Sequence, residues 1–344
     1  MKASPLEYPW AAPPPSGQAL EVSPGLLWLR MPLPFALDHI NLWLLREGDA
    51  YTLVDTGYGD RTTRAVWESI LTGALAGAPI HCIVATHYHP DHLGNAAWLA
   101  QRFATSVWMS QAEFLTARAV FDEVAPYRVR DTCDLFAAHG MDRKSLDDLA
   151  ARGNRYRAGV PSLPASLRRI VGGDRLRAGD DTWDVVPGYG HSPEHAALYC
   201  EQRGILISGD MLLPRISTNV AVWPSEPEGN PLQRFLDSLT AFELLPPDTL
   251  VLPSHGLPFR GIGPRVAQLR AHHEVRLAEL FDFVKQKPDE VSAADVVPTL
   301  FRRQLDLQQL FFAMGEAIAH LNHLWHAGRL RRVNVSSDRV RFAA

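Results

Sequence analysis

The sequence predicts a globular α/β protein with two sheet-forming stretches, a helical insertion between them and a helical C-terminal segment. Three observations predict it. Short runs rich in branched and aromatic residues, bounded by Gly, Pro and Asp, recur between Leu27 and Asp55 and again from Asp181 to His255, which is strand language. Helical periodicity takes over from Gln111 to about Arg169, and helices alone follow Pro264. At 344 residues and 46% hydrophobic content, the chain can bury a large core.

The elements follow in order. Residues 1–18 hold five prolines among small residues, which favours an extended arm lying on the surface as a strap. LLWLRMP, HINLWLLREG and AYTLVDTG read as strands, RTTRAVWESILTGAL as an amphipathic helix, and PIHCIVATH as a buried strand running into a loop. A strand-helix-strand unit thus delivers the first histidines. The insertion, residues 111–169, shows helical texture in AEFLTARAVFDEVA and KSLDDLAAR, then an arginine- and proline-marked stretch. Strands resume in DTWDVVPGYG, in AALYCEQRGILISGD as a hairpin across the QRG turn, and in TLVLPSHG. After residue 264 come VAQLRAHHEVRLAELFDFVKQ, SAADVVPTLFRR and a long helix from about Leu305 to His326, closed by two short strands around an SSD turn. Three helices and a terminal hairpin suggest a winged-helix-like module over residues 265–344.

The formal net charge is −4, from 34 basic and 38 acidic residues mixed throughout, so no global basic field advertises nucleic acid or an anionic membrane. Cys82, Cys133 and Cys200 are far apart and lack CxxC spacing, which points away from a disulfide framework or thiolate zinc site and fits a reducing cytoplasm. No export signal or membrane span is read from the sequence.

The chemistry concentrates in THYHPDHLGN, which sets His87, His89, Asp91 and His92 in one loop after an apolar strand. Imidazole and carboxylate suit zinc and similar ions, and the alternating spacing lets His87 and His89 face one ion while Asp91 and His92 turn toward a second. His191 ends a strand after two nearby glycines; its neighbour His195 reads better as a supporting hydrogen-bond or capping residue. Asp210 follows an apolar strand and a glycine, so a buried carboxylate is expected there. Such a group needs a cation or donors, and bridging two metals would satisfy it, with a helix N-cap as the plainer alternative. His255, again at a strand end before glycine, would be an ordinary loop residue alone but reads as a ligand beside the other six. His320, His323 and His326 recur at helical spacing, which packing explains better than a further metal site.

HYHPDH, the later GH, the GD and the final SHG, in this order, resemble the metallo-β-lactamase-fold hydrolase superfamily over about Leu27 to Phe259. The resemblance implies a four-layer αββα sandwich with the metals at one edge. It implies that His87, His89 and His191 bind a first ion, that Asp91, His92 and His255 bind a second, that Asp210 bridges them and that Asp55 in VDTG supports the ligand loop. GEAIAHLNHLWHAGRL is similar to a subgroup with a winged-helix-like tail, the family of β-lactamase-like protein 2, and more distantly the chain is similar to glyoxalase II. The expected organisation is an arm over 1–18, a catalytic domain over 19–264 and the C-terminal module.

The expected activity is hydrolysis of a small ester, thioester or lactone by a water activated between two divalent ions, zinc first and iron or manganese as alternatives, with Asp91 orienting the water and carrying its proton. Arg152, Arg155, Tyr156, Arg157, Arg168 and Arg169 are candidates to cover the site and bind an anionic group, with Arg155, Tyr156 and Arg157 foremost; a solvated helical surface is the alternative. A phosphodiesterase or ribonuclease is the second reading, disfavoured by net acidity. A binding or regulatory protein without turnover is the third. The expected partner is a small molecule, with a homodimer possible in principle and no membrane.

Overall fold

The computed structural model describes residues 6–35, 37–336 and 339–344. A seven-stranded sheet runs in sequence order: β1 (Ala19–Ser23), β2 (Leu26–Pro32), β3 (His39–Glu47), β4 (Ala50–Val54), β5 (Ile80–Val84), β6 (Ser106–Met109) and β7 (Arg168–Arg169). Its first four strands form an antiparallel meander, and β4 to β7 pair in parallel. The second sheet holds β8 (Arg175–Ala178), β9 (Asp181–Gly188), β10 (His195–Cys200), β11 (Ile205–Gly209) and β12 (Leu250–Pro253) in the order β12-β11-β10-β9-β8. Only its β11–β12 pair is parallel.

The alternation within each strand explains why the sheets stack. In β2, Leu26 and Trp28 face the space between the sheets while Leu27, Leu29 and Met31 face outward; in β3, Trp43 and Leu45 point in while Leu42 and Leu44 point out. In the second sheet, Ile205 and Ile207 of β11 meet this inner layer, and Leu206 turns to the opposite side. Both faces of both sheets are therefore apolar, and each outer face needs a cover of helices.

Helix α1 (Arg61–Thr72) covers the first sheet. Asp60 caps it by accepting from the Thr63 amide, and its buried Trp67, Ile70 and Leu71 fall at helical spacing. It is joined there by α2 (Pro90–Leu93), α3 (Ala96–Phe103), α4 (Gln111–Phe121) and α7 (Tyr156–Gly159), whereas α5 (Val129–Ala138) and α6 (Arg143–Arg152), within the insertion, bury Leu135, Phe136 and Leu149 in the core on the second sheet's outer side. The second sheet is covered by α8 (Pro231–Glu243), α9 (Ile262–Lys285), α10 (Ala293–Leu300) and α11 (Leu307–His326), followed by the hairpin β13 (Arg331–Ser336) and β14 (Arg339–Ala343). Layer order is thus helix, sheet, sheet, helix, with a helical C-terminal region on the second face.

Several details differ from the sequence reading. Arg168 and Arg169 do not lie on a helical cover: they form the edge strand β7, because the end of the insertion returns to the sheet. Elements β1, α3, β6 and α8 carried no separate sequence signal. Of the arm, residues 1–5 lie outside the described residues; beyond them Leu6 is buried, Glu7 and Arg260 exchange backbone hydrogen bonds at 3.2 and 2.9 Å, and Trp10 meets Trp28 edge-on. Ser337 and Asp338 of the expected SSD turn also lie outside the described residues. Among the described residues, no helix is long and apolar enough to cross a membrane.

A polar seam joins the sheets at one edge. Asn41 of β3 is fully buried; its side-chain amide donates to the carbonyls of Pro253 and Gly256, both at 2.8 Å, and its oxygen accepts from Trp28 Nε1. Its backbone N–H reaches Ser254 O at 2.7 Å. The loop that carries His255 is thereby tied to the other sheet.

Candidate metal centre

Asp55 follows β4, the 86–92 loop follows β5, His191 follows β9, Asp210 follows β11 and His255 follows β12. β4 and β5 run the same way in the first sheet, as do β9, β11 and β12 in the second, and the loops that follow them meet at one edge. Each loop leaves a buried strand, so its first residues are held by the core rather than by solvent.

The seven candidate ligands come together there. Side-chain atoms of His87, His89, His191 and Asp210 lie within 4.8 Å of one another, and so do those of Asp91, His92 and His255. Between His87 Nε2 and His89 Nδ1 the distance is 2.8 Å, and His191 Nε2 is 3.2 Å from His87 Nε2. Asp210 stands between the groups: its Oδ2 is 3.4 Å from His191 Nε2, while its Oδ1 is 3.6 Å from His92 Nε2 and 3.5 Å from His255 Nε2. Asp91 Oδ2 is 3.3 Å from His255 Nε2 and 3.7 Å from His92 Nε2.

The supporting bonds fix which nitrogen each ring turns inward. Asp55 Oδ2 faces His92 Nδ1 at 2.8 Å, and Asp55 also accepts from the Thr86 amide at 2.8 Å and the Thr86 hydroxyl. His191 Nδ1 donates to Asn219 O at 2.8 Å, and His255 Nδ1 to His39 O at 3.0 Å, so the Nε2 atoms are left as acceptors. His195, the first residue of β10, accepts the Asp210 amide on Nε2 at 3.2 Å and packs beside the His87 ring rather than joining either group. Gly209, at φ +54°, lets this happen: a Cβ there would sit 2.2 Å from His195 Nε2.

Charge divides the two groups. Burial and the neighbouring histidines push His87 well below its ordinary value, and burial together with His191 takes His89 down to about 3. Both are neutral imidazoles with a free lone pair. Burial also opposes charge on His92 and His255, but the carboxylates Asp55, Asp91 and Asp210 around His92, and Asp210 and Asp91 beside His255, outweigh it and raise both. Burial likewise would raise Asp210 and Asp91, yet the facing histidines hold both below the usual carboxylate range. His92 Nε2 and Asp210 Oδ1 are buried without a hydrogen-bond partner. Neutral imidazole nitrogens about 3 Å apart and a buried anionic oxygen with no donor fit a pair of divalent cations.

Other expected site residues lie elsewhere. Tyr156 is buried, and its hydroxyl donates to Tyr88 O at 2.7 Å instead of facing a cleft. Arg157 is exposed, donating to Phe121 O and lying over the Phe121 ring. Arg168 lies over Trp108 and lines a cavity of about 300 Å³ with Glu47, His81 and Trp183, at the starts of β5 and β6 and so away from the ligand loops. Arg152 reaches Gln308 and the Phe311 ring. Arg155 stays exposed, and its field, with that of Arg152, reaches Tyr58, which also feels Asp91. His320 bonds Glu316 O and faces His273 across the α9–α11 contact, as packing would have it.

Two carboxylates that sequence reasoning missed support the centre. Glu316 of α11 accepts from Asn219 Nδ2 at 3.0 Å, and Asn219 in turn orients His191. Glu113, completely buried in α4, accepts from Ser192, Glu194 and Tyr88. Each lies many residues from the group it serves, and no local pattern announces such a pairing.

This ligand arrangement on an αββα sandwich defines a class, and the chain belongs to the metallo-beta-lactamase superfamily, whose family description matches residues 36–255; the metallo-beta-lactamase-like C-terminal domain matches residues 277–344. Among solved structures, a beta-lactamase domain protein from Burkholderia ambifaria is 46% identical, with 98% of each chain covered and a TM-score of 0.87. A probable metallo-hydrolase of Bacillus subtilis, YqjP, is 26% identical over 86% of this chain and 91% of its own length. The acyl-coenzyme A thioesterase MBLAC2 of Homo sapiens is 27% identical over 55% of this chain and 63% of its own length.

Proposed function

We propose that this protein is a metal-dependent hydrolase that cleaves a small ester, thioester or lactone, foremost an acyl thioester on an anionic carrier. The observation that carries the reading is Asp210, whose two oxygens face two different sets of ligand atoms in a buried, donor-poor pocket. His87, His89 and His191 would hold one ion, Asp91, His92 and His255 the other, and Asp210 would touch both. Zinc suits this mixed imidazole and carboxylate set. Bound there, a divalent pair supplies a water acidic enough to act as a nucleophile near neutral pH and polarises the carbonyl under attack.

The chain's own residues do the rest. Asp91, a member of the second set, would orient the attacking water and take its proton. Asp55 and the carbonyls of Asn219 and His39 hold three imidazoles in the tautomer that points Nε2 inward. Phe35, 44% exposed, meets Tyr58 edge-on, and with Arg155 nearby they offer an apolar wall beside a cation, which fits an acyl group joined to an anionic carrier. The name of the human relative supports the thioester over the other acyl classes. Three free cysteines agree with a reducing compartment, and we read residues 265–344 as a winged-helix-like module.

The test is a panel of acyl thioesters, lactones, aryl esters and phosphodiesters, run with and without chelator on protein whose metal content is measured. Thioester turnover that chelation abolishes and added zinc restores supports the reading. Turnover confined to phosphodiesters, or turnover unaffected by complete metal removal, refutes it.

A further inference from the structure

Tyr88 separates His87 from His89, and both of its backbone polar groups are held by the helical insertion. Its N–H donates to Glu113 Oε2 at 2.9 Å, and its carbonyl accepts from the Tyr156 hydroxyl at 2.7 Å. The other oxygen of Glu113 accepts from the Ser192 hydroxyl and the Glu194 amide, both at 2.6 Å, just past His191. Ser110, which caps the same helix, donates to Glu194 O at 2.9 Å. One fully buried carboxylate therefore spans the two loops that carry the first histidine set, loops about a hundred residues apart in sequence.

Such a carboxylate is costly to bury unless each oxygen has donors, and here every donor comes from a ligand-bearing loop. The bonds are charge-assisted and short, so they resist changes in the gap between loops more than neutral bonds would. A histidine pair two residues apart has its spread set by the backbone of the residue between. That residue is the one clamped.

We propose that Glu113 is a positioning residue: the insertion uses it to set the distance between the His87–His89 loop and the His191 loop, and thereby the affinity of the first ion. This rests on the metal reading above. Supporting carboxylates of this kind change metal affinity by roughly 10- to 100-fold when removed. Glu113 has no contact with the Asp91, His92 and His255 set, so only one of the two ions responds.

The experiment is zinc titration against a chromophoric chelator for the wild type, Glu113→Gln and Ser192→Ala, each repeated in a His255→Ala background so that the remaining tight ion reports the first set. Ile70→Ala, a core change beneath the first sheet, serves as control for general loss of melting temperature. Glu113→Gln is expected to weaken the first ion about 10- to 100-fold and leave the second within a few fold, with Ile70→Ala changing neither. Ser192→Ala keeps the carboxylate and removes one donor, so it carries the test even if Glu113→Gln fails to fold, and a several-fold loss in the same ion is expected. Wild-type affinity for the first ion in folded Ser192→Ala and Glu113→Gln overturns the proposal, as does equal weakening of both ions shared by Ile70→Ala. A wild-type protein that takes up no zinc overturns the metal reading itself, and this one with it.

Discussion

Replacing Asp55 by Asn tests the centre from the side opposite Glu113. Asp55 sits at φ +61°, a backbone conformation that Asn tolerates well, so the change alters chemistry and not the turn. As a carboxylate it accepts from the Thr86 amide and hydroxyl on one oxygen and faces His92 Nδ1 on the other at 2.8 Å. An amide can keep the Thr86 contacts through its oxygen, but its NH2 then faces His92 Nδ1. Two donors cannot share that contact, so the imidazole must move its proton to Nε2. That nitrogen points at Asp91 and Asp210, and with a proton it can no longer bind a cation. The expected loss is at the upper end of the effect of a supporting partner, about 100-fold or roughly 2.7 kcal/mol, and it falls on the second ion only. Stepwise zinc titration with elemental analysis measures it, and NMR of the His92 ring nitrogens reads the tautomer. Two ions bound with wild-type affinity, or a loss confined to the first set, would refute the reasoning.

Other expectations follow from the same contacts. Burial lifts Glu316 from 4.5 to about 7 against the Asn219 bond and Arg276, so its protonated form stabilises the fold below pH 4.5, and that contribution, on the order of 3 kcal/mol, is lost as pH rises to about 7. Denaturant melts of Glu316→Gln against wild type should therefore show the variant gaining relative stability over that window and nothing above it; a flat difference contradicts the assignment. Gly209→Ala puts a methyl 2.2 Å from His195 Nε2 at a positive φ and should lower stability by about 1 to 3 kcal/mol while freeing the Asp210 amide, measured by calorimetry. Tyr156→Phe leaves the Tyr88 carbonyl without its donor and should cost about 1 to 3 kcal/mol with KM unchanged; a changed KM at unchanged stability would place the phenol against substrate instead.

How much of this was legible in the sequence depends on the range of the interaction. Strands such as β2, β3 and β11 announce themselves because alternation is a property of neighbouring residues, and the seven ligand-type side chains stand out because four crowd one loop and the other three follow strand-like runs. Asp55 entered as a supporting residue through the family resemblance of VDTG, and His195 through its place beside His191. The arginines of the insertion did not sort themselves, since whether a guanidinium meets Trp108, Phe121 or open solvent is decided by chain segments far away. Glu113, Glu316 and Asn41 were invisible for that reason: a buried polar group is defined by its partner, and theirs lie between 13 and 215 positions off. The short edge strand β7, two residues long, is likewise made by pairing and not by propensity.

Apolar contact between two sheets has no preferred register: a layer of tryptophan, leucine and valine tolerates small slips at little cost. Directional bonds do not. Asn41 places three of them across the edge where His255 must meet Asp91 and Asp210, two from its side chain to Pro253 and Gly256 and one from its backbone N–H to Ser254, so the sandwich is pinned at the very corner where a displacement of about half an ångström matters and left to close-packing elsewhere. A chain that kept every ligand but traded this amide for leucine would strand the Pro253 and Gly256 carbonyls and lose the bonds that align its two halves.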